Sequence, residues 1–175
     1  MAVPEEYHVQ FFTAICKDWL PLLQDDAVKT LIIKALKYRV QKGQLKVCAF
    51  VIMTNHLHLI WRITKGEKRE AVQRDFLKFT AREILKLLQA SNPSLYEKLQ
   101  VAAADRSPQV WKRNSMNIDL YSEKFFQQKL AYIHANPCQP KWNLVAHPAD
   151  YYYSSASYYE EDKDPFLLLT HFQDI

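Results

Sequence analysis

The sequence predicts an α+β fold in which helices pack against an antiparallel β-sheet. Segments rich in β-branched and aromatic residues alternate along the chain with segments of helical periodicity, and two strand-like segments are separated by only a short turn. In chain order the segments are β-α-β-β-α-β-α, which is typical of an antiparallel sheet covered by helices. The 175 residues are predicted to form a single domain, residues 1–175, and the 49% of hydrophobic residues can build a core.

The first four elements are predicted as a strand, a helix and a β-hairpin. Tyr7–Ile15 is rich in aromatic and β-branched residues, which favours a strand. Asp25 can cap the following helix, and Gly43 can end it. Leu45–Ile52 and Leu57–Ile63 are apolar strands with a short turn between them, which predicts that they pair as a hairpin.

The second half of the chain is predicted to contain two helices. A long helix over Glu67–Ala90 has one largely apolar face. Residues 94–108 are predicted to be loop-rich, and Val110–Lys112 to form a short strand. A second helix is predicted over Ser122–Asn136, because a proline follows it directly.

The cysteines and apolar runs favour a cytoplasmic protein. Cys16, Cys48 and Cys138 are odd in number and far apart, so we expect no disulfide framework and a reducing compartment. The apolar run Val47–Met53 is far shorter than the ~20 residues of a membrane span. We therefore expect a cytoplasmic, nucleoid-associated location and no membrane partner.

The positive charge is concentrated in the middle of the chain. Residues 62–114 carry 12 basic and 6 acidic side chains, whereas the net charge of the whole chain is +4. A localised basic block favours a polyanionic partner such as DNA, although a solvated helix face would show the same pattern. The candidate DNA-binding residues within this block are Arg74, Lys78, Arg82 and Lys86, spaced four apart along the long predicted helix, with Lys112 and Arg113 after it.

Two histidines at the start of the second hairpin strand are candidate metal ligands. Side chains alternate between the two faces of a strand, so His56 and His58 point to the same face while Leu57 points to the other. Two imidazoles roughly 6–7 Å apart can bind one divalent metal ion. Alternatively, they are two solvated histidines on a half-exposed strand, although their position after an apolar strand and a turn favours a fixed placement.

The helix before Pro137 carries a candidate nucleophile. Lys129, Tyr132 and Asn136 lie on one face of this helix, away from its apolar residues. A phenol near a metal can form a covalent bond to phosphorus, and the amide oxygen of Asn136 could be a third metal ligand. Alternatively, Tyr132 is an ordinary half-buried tyrosine, one of ten in the chain.

Together, these two motifs resemble the HUH-type single-tyrosine transposases, most closely their REP-associated branch. The resemblance spans most of the chain and rests on five segments: FVIMTNHLHLIW (50–61), FLKFTAREI (76–84), VWKR (110–113), FFQQKLAYIHANP (125–137) and YYYSSASY (151–158). The combination of the histidine pair with a downstream YIHANP helix is far more specific than either motif by itself.

The resemblance implies a fold, a reaction and a set of site residues. It implies a ferredoxin-like antiparallel sheet with the histidine motif on a central strand. It also implies that His56 and His58, with Asn136, bind Mg²⁺ or Mn²⁺. Tyr132 would attack a phosphate of single-stranded or hairpin DNA, forming a 5′-phosphotyrosine and a free 3′-OH. Lys129, on the same helix face as Tyr132, is a further candidate DNA-binding residue. Relatives include monomers and homodimers, so either state is expected.

Two other functions remain open from the sequence. The chain could be a ferredoxin-like module, derived from such a transposase, that binds nucleic acid without chemistry. It could also be an unrelated structural domain with incidental histidines, which would bind neither metal nor DNA. The presence of His56, His58 and Tyr132 in one chain favours the catalytic interpretation. Trp61, Trp111 and some of the tyrosines of the C-terminal segment are candidates for stacking on unpaired bases, although Trp111 could equally be a core residue and the tyrosines at 151–153 could pack the last segment onto the sheet.

Overall fold

Four strands form one antiparallel sheet in the computed structural model, which describes residues 7–104 and 106–175. The strands are β1 (Gln10–Ile15), β2 (Leu45–Ile52), β3 (His56–Ile63) and β4 (Met116–Asp119). Their order in the sheet is β2-β3-β1-β4, and every neighbouring pair is antiparallel. This order and the β-α-β-β-α topology give a ferredoxin-like sheet with β1 and β3 at its centre, so the predicted fold class is confirmed.

The described residues also form five α-helices. They are α1 (Asp26–Gln41), α2 (Arg69–Ser91), α3 (Pro93–Ala103), α4 (Glu123–Ala135) and α5 (Ala156–Glu161). Asp25 caps α1 as predicted, because its carboxylate accepts a hydrogen bond from the Ala27 amide. Ser122 caps α4 in the same way, by accepting from the Phe125 amide. None of these helices is both long enough and apolar enough to cross a bilayer.

The two faces of the sheet are covered by different helices. On one face, Phe12 and Trp61 pack with α1 and α2, and the Trp61 ring contacts the Phe76 ring of α2. On the opposite face, Phe11 and Ile60 pack with the apolar side of α4. We call these the helix-pair face and the α4 face. Since residues alternate along β3, the two motif histidines lie on the α4 face with Ile60.

The secondary structure between α2 and α4, the helix that carries Tyr132, differs from the prediction. Residues 94–108, predicted as loop-rich, contain α3, which begins where Asn92 caps it and Pro93 occupies its first turn. Val110–Lys112 is not a strand of the sheet, because it is tied to β1 only by a bridge at Trp111. The fourth strand is Met116–Asp119 instead. This strand was not predicted because its short, polar sequence lacks the alternation of apolar residues that is typical of a half-buried strand.

The structure corrects the expectation that both tryptophans could stack on bases. Trp61 is completely buried, with its ring 4.7 Å from the ring of Phe12. Trp111 is 6% exposed, and its indole N–H donates to the Thr80 hydroxyl. Both residues are therefore core residues. In the tyrosine segment, Tyr153 is buried, and only Tyr152 exposes more than half of its surface.

Candidate active site

The central strand β3 brings the two histidines together on the α4 face. The ring centroids of His56 and His58 are 4.9 Å apart, and each residue is only 5% exposed. Phe11 on β1 stacks against the His58 ring at 5.1 Å, and the Trp142 ring lies 5.4 Å from the His56 ring. The two imidazoles are therefore held in a fixed, largely water-free position rather than solvated on a strand surface.

A hydrogen bond to Asn55 fixes the proton position of His56. The Nδ1 atom of His56 lies 2.8 Å from the Oδ1 atom of Asn55. The Nδ2 group of Asn55 donates to the Trp19 carbonyl, which identifies the amide atom that faces His56 as the oxygen. Because an amide oxygen only accepts, Nδ1 must carry the proton. The Nε2 atom of His56 then has a free electron pair suited to a metal ion.

A second hydrogen bond orients His58. Thr13 on β1 is the direct strand partner of His58, and its hydroxyl lies 2.7 Å from the His58 Nδ1 atom. A hydroxyl can donate or accept, so it can pair with Nδ1 in either protonation state. When Nδ1 carries the proton, Nε2 is again the atom available to a metal. Such partners typically orient metal-binding histidines.

Burial keeps both imidazoles neutral near pH 7. Burial lowers the pKa of His56 to about 4, with the charge of Lys141 acting in the same direction and the Asn136 side chain opposing it. Burial likewise lowers the pKa of His58 to about 3, assisted by the charges of His56 and Lys129. Neutral imidazole is the form that binds metals, so no proton has to be displaced at physiological pH.

Helix α4 places Tyr132 beside His58. Its buried residues Phe126, Leu130 and Ile133 pack on the sheet, which turns the Tyr132 side towards the histidines. The Tyr132 ring lies 5.4 Å from the His58 ring, and the residue remains 44% exposed. An exposed phenol next to two buried imidazoles can be reached by a large substrate.

The amide of Asn136 completes the arrangement at the end of α4. The residue is 2% exposed, and its buried Oδ1 atom makes no hydrogen bond of good geometry in the described part of the chain, although the side chain is close enough to His56 to raise the pKa of that imidazole. A buried amide oxygen without a partner is costly, whereas a bound cation would satisfy it. No three His, Cys, Asp or Glu side chains among the described residues are grouped to hold a metal. The atoms that could hold a metal here are two imidazole nitrogens and the amide oxygen of Asn136.

The candidate DNA-binding residues lie in two different places. Lys129 is at the site, with its Nζ atom 5.7 Å from the centre of the Tyr132 ring. The remaining six candidates, on α2 and at residues 112–113, are exposed, and α2 packs on the opposite, helix-pair face. Three of the four on α2 are next to helix carboxylates: Arg74 pairs with Asp75, and both Arg82 and Lys86 pair with Glu83.

Sequence reasoning missed the residues that surround the histidines. Thr13, Asn55, Trp19 and Trp142 all lie within contact of one imidazole or of its partner. The sequence gives no sign of the strand register that pairs Thr13 with His58. Asn55 was detectable, because an asparagine directly before a buried histidine in a tight turn can hydrogen-bond to its neighbour.

The buried histidine of α4 has a structural position. His134 is 9% exposed and its Nε2 atom lies 2.8 Å from the Ser155 hydroxyl. This agrees with the helical wheel, which directs His134 away from Tyr132 and into contact with the rest of the protein. The residue therefore anchors α4 and does not face the candidate site.

The fold is similar to that of a solved transposase. The structure of a REP-associated tyrosine transposase bound to a REP hairpin overlaps this chain with a TM-score of 0.63 and 15% sequence identity, over 95% of this chain and 87% of that one. A protein of Deinococcus radiodurans R1, provisionally described as a transposase, has a TM-score of 0.48 and 15% identity over 76% of this chain and 94% of its own. That second similarity is too low to support an argument. No model of a known protein family and no curated protein sequence matches the chain.

Proposed function

We propose that the protein is a transposase that cuts and rejoins single-stranded DNA through a covalent bond to Tyr132. The observation that carries the proposal is the position of the Tyr132 ring, exposed and 5.4 Å from the ring of His58. His58, His56 and the unpartnered Asn136 oxygen supply a neutral donor set beside this phenol. The ferredoxin-like fold shared with a REP-associated tyrosine transposase supports the same function.

In this reaction the Tyr132 oxygen attacks a backbone phosphorus. The phenol loses its proton as the new oxygen–phosphorus bond forms, and the bond from phosphorus to the 3′ oxygen breaks. The leaving 3′ oxygen takes up a proton, so the products are a 5′-phosphotyrosine and a free 3′-OH. Because the phosphotyrosine keeps the energy of the broken bond, a 3′-OH can later attack it and rejoin the strand.

The residues around Tyr132 have separate tasks in this proposal. The Lys129 ammonium, 5.7 Å from the Tyr132 ring, would bind the phosphate and balance its negative charge. His56, His58 and Asn136 would hold Mg²⁺ or Mn²⁺. When bound, such an ion neutralises a phosphate oxygen and makes the phosphorus easier to attack. Trp19, which is 51% exposed and lies 6.0 Å from the His56 ring, offers a surface on which a base could stack.

The substrate we propose is single-stranded or hairpin DNA of the REP type. The solved relative in the comparison is bound to a REP hairpin, and this chain shares its fold over nearly the whole length. The open side of Tyr132 and the Lys129 cation near it suit a flexible strand better than a rigid duplex, because a single strand can bring one phosphate close to the helix.

A covalent adduct on a denaturing gel tests this function. The protein is incubated with Mn²⁺ and a set of labelled single-stranded hairpin oligonucleotides that carry REP-like stems and different flanking sequences. We expect a labelled protein band that disappears in the Tyr132→Phe and His56→Ala variants and when EDTA is added. The matched control is Tyr121→Phe, which alters an exposed tyrosine just before the same helix. A band that persists in Tyr132→Phe would overturn the proposal.

A further inference from the structure

A groove on the helix-pair face is separate from the candidate active site. It has a volume of about 680 Å³ and lies between α2, α3 and the segment 106–113. Trp111, Val110 and Leu99 contribute apolar surface to it, and all three belong to the core on this face of the sheet. We call it the helix-side groove. Its walls are therefore fixed to the core.

The groove is lined by positive charge. Its lining includes Lys17, Lys78, Arg106 and Arg113, and no acidic side chain from the described residues. Across residues 7–104 and 106–175, only Lys17 of these four forms an ion pair, with the exposed Asp18 at 3.4 Å. Unpaired cations around an apolar surface are suited to the phosphates and sugars of a nucleic-acid strand.

The charge on α2 is divided between the groove and the rest of the helix. Arg74 and Arg82 are held by the carboxylates of the next residue, and Lys86 by Glu83. Lys78 lies between them in sequence, faces the groove and has no such partner among the described residues. Of the four candidate DNA-binding residues of α2, the one at the groove is therefore the one whose charge no carboxylate of the described residues offsets.

One short turn joins the groove to the candidate active site. Residues Lys17–Trp19 form a 3₁₀ turn directly after β1, in which Lys17 lines the groove and the Trp19 ring lies 6.0 Å from the His56 ring. Because Lys17 and Trp19 are two residues apart in the chain, their Cα atoms can be no more than about 7.6 Å from each other. The two sites therefore meet at the end of β1.

Hydrogen bonds hold this turn in an unusual conformation. Asp18 and Trp19 both have positive φ angles, 52° and 55°, which are rare for residues other than glycine. The Trp19 carbonyl accepts from the Asn55 side chain, and the Lys17 amide donates to the Val110 carbonyl of the groove segment. The turn is thus hydrogen-bonded both to Asn55, which precedes His56, and to Val110 in the groove wall. Costly backbone conformations of this kind cluster at functional sites.

We propose that the helix-side groove binds the sugar-phosphate backbone of the DNA strand that passes through the candidate active site and continues around the Lys17–Trp19 turn. This inference rests on the proposed function, because it assumes that DNA reaches Tyr132. Lys17 is the first contact after the turn, and Lys78, Arg106 and Arg113 bind the phosphates that follow. The contacts are to the backbone, so the groove adds affinity and does not select a sequence.

Binding of oligothymidylate by a catalytically silent protein tests the groove. In the Tyr132→Phe background, Lys78→Glu and Arg113→Glu are combined and compared with a control that combines Lys34→Glu and Lys98→Glu. The control residues are exposed, lie outside the groove, and give the same change in net charge. A neutral pair, Lys78→Gln with Arg113→Gln, repeats the test at half the charge change, and circular dichroism checks that each variant folds.

We expect the groove variant to bind fluorescent dT30 at least tenfold more weakly than the control does. Its affinity should also depend less on salt, by about 1.4 in the logarithmic slope for two lost phosphate contacts at ~0.7 each. Equal losses of dT30 affinity in the two variants would overturn the proposal.

The adduct assay separates failure of the groove from failure of the proposed function. If the protein with Tyr132 forms the adduct but the groove variant binds dT30 like the control, the function stands and the groove proposal is wrong. If the groove variant loses dT30 affinity while no hairpin oligonucleotide gives an adduct, the groove binds DNA and the cleavage function fails. The two outcomes are measured on different proteins and cannot be confused.

Discussion

The hydroxyl of Thr13 lies 2.7 Å from Nδ1 of His58, directly across the central pair of strands. On the other side of the site, Asn55 makes the equivalent contact with Nδ1 of His56 at 2.8 Å. Each imidazole is thus oriented by a neutral partner that leaves its Nε2 atom available. Thr13 lies on β1 and Asn55 in the turn before β3, so the geometry of the pair depends on both the strand register and the turn.

Removing the Thr13 hydroxyl should weaken metal binding. Thr13→Val keeps the shape of the side chain but leaves the Nδ1 atom of buried His58 without its partner. We expect the affinity for Mn²⁺ to fall about 10–100-fold, as is typical when a partner of a metal-binding histidine is lost. Isothermal titration calorimetry measures the affinity, and Thr13→Ser, which keeps the hydroxyl, is the control. Unchanged affinity in Thr13→Val would show that the contact does not support a metal site.

Lys129 should affect the rate of the reaction more than the binding of metal. Its Nζ atom lies 4.8 Å from the centre of the Phe11 ring and 5.7 Å from that of Tyr132, so its charge is close to the proposed point of attack. We expect Lys129→Gln to slow single-turnover adduct formation at least tenfold at saturating DNA, because a charge that stabilises the phosphate is lost. Lys129→Arg should be slowed less.

The matched control for this experiment is Lys124→Gln. Lys124 is exposed on the first turn of the same helix and makes no contact with the candidate site that the structure describes. We expect its rate to stay within a factor of two of the unmodified protein. Equal slowing by the two substitutions would mean that the net charge of α4, and not the position of Lys129, determines the rate.

The protein without metal should lose stability as the pH falls below about 6.5. Burial lowers the pKa of His56 and His134 to about 4 and that of His58 to about 3, against an ordinary value of 6.5. Between these values the unfolded chain binds protons that the folded chain does not, so acid favours unfolding. Each histidine contributes at most about 1.4 kcal/mol per pH unit, and the contribution to stability is complete above pH 6.5.

Urea denaturation at pH 7 and pH 5 measures this loss. His134→Gln removes one of the three titrating groups and leaves an amide that can still pair with Ser155. We expect the free energy of unfolding to fall less between the two pH values in this variant than in the unmodified protein. The same stability at pH 5 and pH 7 in the unmodified protein would contradict the assignment of buried, neutral histidines.

Ser155 should be important for holding the tyrosine helix on the sheet. Its hydroxyl accepts from the Phe50 amide on β2 and lies 2.8 Å from the Nε2 atom of His134 on α4. Ser155→Ala leaves both buried groups without this partner, which should lower the free energy of unfolding by about 1–3 kcal/mol. Ser157→Ala, at a partly exposed serine of α5, should change it by less than about 0.5 kcal/mol. Thermal or urea unfolding that ranks the two variants equally would refute this role.

The strands and helices with strong periodicity were predictable from the sequence. The apolar strands β2 and β3, the capped helix α1 and the tyrosine helix α4 occur close to their predicted positions. The edge strand β4 was not predictable, because it has only four residues, two of them exposed, and carries no alternation of apolar side chains. Helix α3 was also missed, since its N-terminal Asn92-Pro93 pair is equally typical of a turn.

The candidate site was predictable only in its motif residues. The spacing of His56 and His58 on one strand indicates that they share a face, and the helical spacing of Tyr132 and Asn136 indicates the same for them. The histidine side of β3 and the Tyr132 side of α4 meet because of where α4 crosses the sheet. No local sequence pattern determines that position. For the same reason, the sequence did not indicate that α2 carries its cations on the opposite face.

The most direct test of the central claim is to identify the residue that becomes attached to DNA. Trypsin releases Tyr132 in the peptide 130–141, between Lys129 and Lys141, and Tyr132 is its only tyrosine. After reaction with a hairpin oligonucleotide and Mn²⁺, nuclease and trypsin digestion, mass spectrometry should find this peptide with a nucleotide bound to Tyr132. A nucleotide on any other residue, or no modified peptide from a reaction in which DNA was cut, would contradict the proposal that Tyr132 is the nucleophile.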